Sequence, residues 1–241
     1  MSALLHRLLF WTLLPLTAVQ GLWLARQATR LPGAAGACEG AAGDGPDYYL
    51  LAIGDSIIEG VGAGCREASL PVQFATALAA RGGRRVHWRV AGASGYGIRE
   101  VLGLLEELPR GAPADLVLLS VGVNDVTGLS GTQQWRCNLQ TLFSRIRERW
   151  PAAEVLFAGL PPMARFPLPP QPLRFALGLR ASTLDRIARE VAASNPGVTH
   201  VPTRIDPRRH DFCEDGFHPS ADSCTAWASE LAALKLRSTH T

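Results

Sequence analysis

Short apolar runs of strand length alternate along the sequence with longer segments of helical spacing, and this alternation constrains the fold most. Strands that are apolar throughout are typical of a parallel sheet buried on both faces by crossover helices. The pattern therefore predicts an α/β fold, a three-layer α/β/α sandwich around a parallel five-stranded sheet. The predicted strands are Tyr48–Ile53, Val86–Val90, Leu116–Val121, Val155–Leu160 and Val198–Val201, and the predicted helices are Leu70–Ala80, Ile98–Leu108, Thr132–Trp150, Leu173–Ser194 and Ala221–Leu236.

Residues 1–30 differ from the rest of the chain, because the stretch from Leu8 to Ala25 carries no charged residue. Its length lies between that of a signal-peptide core and that of a membrane span. Basic residues stand on both sides, so the charge pattern does not decide an orientation. We expect an uncleaved membrane anchor rather than a cleaved signal, and hence a protein exported or held at the cell envelope. Residues 31–46 are predicted to be a flexible linker and residues 47–241 one globular domain.

The net charge narrows the classes of expected partner. It is +3, from 24 basic and 21 acidic residues without a basic block, so nucleic acid is not an expected partner.

The number of cysteines is odd, which leaves at least one unpaired in any disulfide scheme within the chain. A Cys213–Cys224 bridge and five reduced cysteines remain alternatives. The cysteines are Cys38, Cys65, Cys137, Cys213 and Cys224.

Polar segments follow the first three predicted strands, and a fourth precedes the last helix. In a parallel α/β sheet, functional sites lie beyond the carboxyl ends of the strands. The sequence therefore predicts one site assembled from four segments that are distant along the chain. These segments are Gly54–Ser56, Gly92–Gly95, Gly122–Asp125 and Asp215–His218.

The residue types in these segments suit nucleophilic catalysis. A serine hydroxyl, here Ser56, is a poor nucleophile until a base takes its proton, and His218 is the candidate base because imidazole titrates near neutral pH. Asp215 stands three residues before His218, a spacing that lets the carboxylate hold the second ring nitrogen. Taken singly, Ser56 could be only a helix N-cap and His218 only a structural histidine. The convergence of four segments favours the catalytic interpretation.

The chain resembles the SGNH (GDSL-type) hydrolase superfamily from Tyr48 to Leu236. The resemblance is carried by Gly-Asp-Ser at 54–56, the second-block glycine Gly95, Gly-x-Asn-Asp at 122–125 and Asp-x-x-His at 215–218. It implies ester hydrolysis on a flavodoxin-like sheet. One position departs from the family pattern, since Val90 stands where many members carry asparagine.

A tetrahedral oxyanion needs hydrogen-bond donors. We assign them to the backbone N–H groups of Ser56 and Gly95 and to the side-chain amide of Asn124, although Asn124 alone could be a turn residue. Gly95 suits this role because a missing Cβ lets the substrate approach its N–H. Asp55 and Asp125 are expected to tie down loops rather than react.

The predicted function is that of a serine esterase or lipase-like hydrolase that works through an acyl-enzyme, without cofactor or metal, on a small-molecule, lipid or glycan ester. An acyltransferase or deacetylase would use the same residues. A membrane-tethered binding module is the alternative from another class.

Three further motifs are interpreted as structural rather than functional. Gly60–Gly64 lacks phosphate-loop spacing and is predicted to be a flexible loop beside the nucleophile. The proline-rich segment Pro161–Pro172 is expected to be a stiff loop that walls the substrate cleft. His210, Cys213, His218 and Cys224 are ligand types for zinc, but their irregular spacing argues against a site.

Overall fold

The computed structural model describes residues 3–27, 29–203 and 211–238. Within these residues, six strands form one sheet in the order β1-β3-β2-β4-β5-β6. The strands are β1 (Glu39–Ala42), β2 (Asp47–Gly54), β3 (Arg85–Gly92), β4 (Leu116–Ser120), β5 (Glu154–Ala158) and β6 (Val198–Val201).

The helices flank this sheet, and two 3-10 turns lie at Arg66–Ala68 and Met163–Arg165. The five predicted helices are all present, with bounds that differ by a few residues from those expected. The structure adds an N-terminal helix and two short helices that begin close behind β2 and β4. The helices are α1 (Ala3–Gln27), α2 (Ser56–Glu59), α3 (Leu70–Gly82), α4 (Ile98–Glu107), α5 (Val123–Thr127), α6 (Thr132–Arg149), α7 (Leu173–Ala193) and α8 (Ala221–Ser238).

The two faces of the sheet bury separate apolar clusters, which confirms the predicted three-layer sandwich. On β2, Leu51 and Ile53 pack into a cluster with residues of α4, α6 and α7. Leu50 and Ala52 point to the opposite face and pack against residues of α3 and α8. Successive side chains of a strand alternate between faces, so a strand that is apolar throughout supplies both cores.

The expected count of five strands is wrong, because a sixth strand, β1, pairs antiparallel with the outer edge of β3. The other five strands are parallel, as predicted. β1 lies within residues 31–46, the segment predicted to be a flexible linker. Gly40 lies against the ring of Trp88, where an added Cβ would be 2.5 Å from the indole. The small residues that made this segment resemble a linker are therefore what lets it pack closely over a tryptophan.

Helix α1 is packed on α7, and polar contacts fix its position. The Gln20 side chain donates to the Gln171 carbonyl at 2.9 Å and accepts from the Leu173 backbone N–H at 3.1 Å. The membrane anchor predicted for residues 1–30 is not confirmed, since no helix in the described ranges is both long enough and apolar enough to cross a bilayer.

We expect Phe157→Ala to lower the free energy of unfolding by about 3–5 kcal/mol. Phe157 is 0% exposed in β5, and its ring contacts those of Phe143 and His200 edge-on, so truncation leaves a cavity between the sheet and the helices. Urea unfolding followed by circular dichroism measures the change. Phe175→Ala on α7 is the matched control: Phe175 is 40% exposed, and its loss should cost under about 0.5 kcal/mol. Equal losses for the two variants would contradict this assignment of the core.

Candidate active site

Ser56 is the first residue of α2, immediately beyond the carboxyl end of β2. β2 ends at Gly54 with φ +158°, where an added Cβ would lie 1.9 Å from the Ser120 carbonyl oxygen, so the turn requires glycine. The N-cap of α2 is Asp55, whose carboxylate accepts the Ile57 N–H at 3.2 Å. The alternative that Ser56 serves as the N-cap is therefore wrong, and its hydroxyl is free to point elsewhere.

The hydroxyl of Ser56 contacts His218, which lies 162 residues further along the chain. Ser56 Oγ is 3.0 Å from His218 Nε2, and His218 Nδ1 is 2.6 Å from Asp215 Oδ2. The second carboxylate oxygen, Asp215 Oδ1, accepts the backbone N–H groups of Phe217 at 2.9 Å and His218 at 3.0 Å. The structure thus brings together the three side chains that the sequence predicts to be nucleophile, base and orienting carboxylate.

The Asp215 carboxyl is nearly buried, yet it is held in the ionised form. Burial raises its pKa, but hydrogen bonds from the His218 ring and from the N–H groups of Phe217 and His218 outweigh burial, so the pKa lies below its ordinary value. An ionised carboxylate at this position stabilises positive charge on the imidazole ring.

Two of the three candidate oxyanion donors, Gly95 and Asn124, lie in segments that contact each other. Asn124 lies in α5, close behind the end of β4, and its Nδ2 donates one hydrogen bond to the Tyr96 carbonyl at 2.9 Å. Since an amide carries two N–H groups and the hydrogen bonds within the described residues use one, the second can donate to a ligand. Gly95, the neighbour of Tyr96, has φ +82°, and an added Cβ there would meet no heavy atom within 4 Å. The Gly95 turn is therefore open on its Cβ side.

One carboxylate joins the segment that follows Gly95 to the segment that carries Asn124. Asp125 Oδ2 accepts the backbone N–H of Ile98, at the start of α4, at 2.9 Å. Asp125 Oδ1 accepts the Ser130 hydroxyl at 2.8 Å. The expectation that Asp125 ties down loops is confirmed, and the tie runs between the segment that follows Gly95 and the segment that carries Asn124.

Two residues that the sequence analysis did not single out support the site. The Tyr96 carbonyl orients the Asn124 amide, and the Ser120 hydroxyl donates to Asp55 Oδ1 at 3.4 Å. Ser120 ends a buried apolar strand, so its type and position carried no distinctive signal. Tyr96 acts through its backbone, which makes its contribution independent of its residue type.

Two clefts meet at the ring of His218. One, of about 330 Å³, is lined by Ser56, His218 and Pro161, and the other, of about 610 Å³, is lined by His218, Leu168 and Pro169. The proline-rich segment therefore walls both clefts, as expected for a stiff loop after the fourth parallel strand.

The described residues hold no cluster of three or more His, Cys, Asp or Glu side chains that could bind a metal. His210, one of the four residues weighed as zinc ligands, lies outside the described ranges. Both ring nitrogens of His218 are engaged by Ser56 and Asp215. Cys213 and Cys224 are free thiols here, and Cys213 Sγ lies 3.2 Å from the Pro219 carbonyl.

The sequence matches a known protein family. A model of the GDSL-like Lipase/Acylhydrolase family matches residues 52–223. The GDSL-like esterase Rv1075c of Mycobacterium tuberculosis is 30% identical over 200 residues, which cover 79% of this chain and 62% of that protein. The chain thus spans less than two thirds of the length of this curated relative.

Solved structures share the fold. A lipase from a goat rumen metagenome has a TM-score of 0.64 at 21% identity, covering 77% of this chain and 96% of its own. A lipase/acylhydrolase from Enterococcus faecalis has a TM-score of 0.59 at 22% identity, covering 77% and 94%. At these identities the likeness establishes the fold alone, whereas the family model covers most of the chain and all four polar segments. The chain therefore belongs to the GDSL-like lipase/acylhydrolase family.

Proposed function

We propose that the protein is a serine-dependent carboxylic ester hydrolase that works through an acyl-enzyme. The observation that carries this proposal is the continuous chain of hydrogen bonds from Ser56 Oγ through the His218 ring to Asp215. The esterase name of the curated relative supports the same reaction class. The alternative of a membrane-tethered binding module has no comparable support.

In the first half of the reaction, Ser56 Oγ attacks the ester carbonyl carbon as its proton passes to His218 Nε2. Asp215 stabilises the imidazolium that results. The carbonyl oxygen becomes an oxyanion, which the N–H groups of Ser56 and Gly95 and the Asn124 amide stabilise. The intermediate collapses when His218 returns the proton to the leaving alkoxide oxygen, which leaves an acyl-enzyme and a free alcohol.

In the second half, water takes the place of the alcohol. His218 Nε2 removes one proton from the water as its oxygen attacks the acyl carbon, and the Ser56 oxygen leaves with that proton. The products are a carboxylic acid and the regenerated enzyme. An acceptor alcohol in place of water would give a transesterified product from the same residues.

A second carboxyl group, Asp55, lies next to the nucleophile but is not placed to act as its base. Its Oδ1 accepts both the Ile57 N–H and the Ser120 hydroxyl. Burial raises the pKa of Asp55 to about 7, against the opposing effects of the Ile57 N–H, the His218 charge and the Ser120 hydroxyl. We assign Asp55 to holding the turn that presents Ser56.

We expect Ser56→Ala to lower kcat for p-nitrophenyl butyrate by about 10⁴-fold or more, because the attacking oxygen is lost. Release of p-nitrophenol measures the rate, and a fluorophosphonate probe should label the wild type but not the variant. Ser144→Ala is the control, since Ser144 is exposed on α6 and should keep wild-type activity. Equal rates for Ser56→Ala and the wild type would end the proposal.

We expect Asn124→Ala to lower kcat by about 10²–10³-fold with little change in KM, because an oxyanion donor acts mainly in the transition state. Steady-state kinetics on the same ester separate the two constants. Asn138→Ala is the matched control: the Asn138 amide contacts only Gln134 among the hydrogen bonds described for it, on the surface of α6. A rise in KM at unchanged kcat would assign Asn124 to ground-state binding instead.

We expect the free energy of unfolding to depend less on pH in Asp55→Asn than in the wild type. As pH rises from about 4 to about 7, the unfolded chain releases the Asp55 proton while the folded protein retains it, so wild-type stability falls across this window. Asparagine has no proton to release, so that part of the fall disappears. Urea unfolding at intervals between pH 4 and pH 8 measures both profiles, and parallel profiles would contradict the raised pKa.

A further inference from the structure

The larger cleft beside His218 has a wall that the sheet and its covering helices do not supply. Its volume is about 610 Å³, within the range of about 300–1,000 Å³ found for small-molecule sites. Leu129, Leu168 and Leu177 line one side, and residues of the N-terminal helix α1 line the other. Asp215, Phe217 and His218 also line the cleft.

The face of α1 that borders the cleft has helical spacing. Thr17, Gly21 and Leu24 stand three or four residues apart, so they lie on one side of the helix. Thr17 is buried there. The bonds of Gln20 to Gln171 and Leu173 fix the helix against the start of α7. Helix α1 is thus docked where it bounds the cleft rather than extended away from the catalytic residues.

The chemistry of the lining selects an apolar occupant. Leucine, proline and alanine side chains from α1, α7 and the proline-rich segment dominate it. Three threonines also border the cleft, Thr17, Thr29 and Thr127, and the Thr127 hydroxyl already donates to the backbone carbonyls of its own helix. The hydroxyls of a glycan would find few partners on such walls, whereas an unbranched hydrocarbon chain requires none.

We propose that α1 is part of the substrate site and forms one wall of a pocket for the acyl chain of a medium- or long-chain ester. The inference rests on the proposed function, because His218, which lines the cleft, is also the base that contacts Ser56. An ester whose carbonyl lies at Ser56 would extend its acyl chain past His218 and along the face of α1. The chain-length preference of the enzyme then depends on α1.

Gly21 offers a direct test, because it is the position on α1 where bulk enters the cleft without a clash. An added Cβ at Gly21 would meet no heavy atom within 4 Å. We expect Gly21→Phe to lower the ratio of kcat/KM for p-nitrophenyl laurate to that for p-nitrophenyl acetate about tenfold. Each buried methylene contributes a factor of about four, so this loss corresponds to displacing about two methylenes.

Val19→Phe is the matched control, since it places the same ring on the same helix at a side chain that is 66% exposed and does not line the cleft. Its laurate-to-acetate ratio should equal that of the wild type. An unchanged ratio in Gly21→Phe, or the same change in Val19→Phe, would overturn the role of α1.

Direct binding separates this inference from the proposed chemistry. In the full-length Ser56→Ala protein, titration with laurate should give saturable binding, and adding Gly21→Phe should raise the Kd about tenfold. A wild type that hydrolyses no ester, with laurate binding still weakened by Gly21→Phe, would sink the hydrolase and leave the pocket. Ester hydrolysis with no laurate binding, or with binding insensitive to Gly21→Phe, would sink the pocket and leave the hydrolase.

Discussion

The contact between Ser56 and the His218 ring is the interaction on which the site depends. It joins the end of β2 to a loop near the far end of the chain, 162 residues away. Each of the two residues is held in place by hydrogen bonds within its own segment, so the contact depends on both segments. Asp55 and Gly54 set the turn at Ser56, while Asp215 binds both the ring and two backbone N–H groups of the His218 loop. These hydrogen bonds are present without a substrate, as the proposed electrostatic catalysis requires.

The three layers and the five parallel strands could be predicted from the sequence because both follow from local periodicity. An apolar strand such as Leu116–Ser120 must be buried on both faces. The helical segments before and after it in sequence then form the crossovers that cover those faces. The position of Ser56 and Asn124 at one edge follows from the same rule about strand ends, since their segments follow β2 and β4, whereas His218 lies in the segment that precedes α8. The contacts among Ser56, His218 and Asp215 could be expected from residue type, because a hydroxyl, an imidazole and a carboxylate together form the hydrogen bonds that nucleophilic catalysis needs.

Other features depend on contacts that no local pattern records. β1 has the sequence Glu-Gly-Ala-Ala, without the branched or aromatic residues that predict a strand, and it exists because Trp88 and the edge of β3 accept it. Helices α2 and α5 are too short to show a helical period. His200 belongs to no motif of the sequence, yet its Nε2 lies 2.7 Å from Asp185, whose carboxylate also accepts the Leu160 N–H beyond β5.

Strand β1 also changes where the folded unit begins. β3 runs from Arg85 to Gly92, and without β1 its outer N–H and C=O groups would be unpaired and open to pairing with another molecule. β1 covers that edge, and the two hydrogen bonds that Arg89 donates to Glu39 Oε2 place charge on it. A chain that begins at residue 47, where the composition suggests that the domain starts, would thus expose the unpaired edge of β3. Such a chain would tend to aggregate, whatever the state of its catalytic residues.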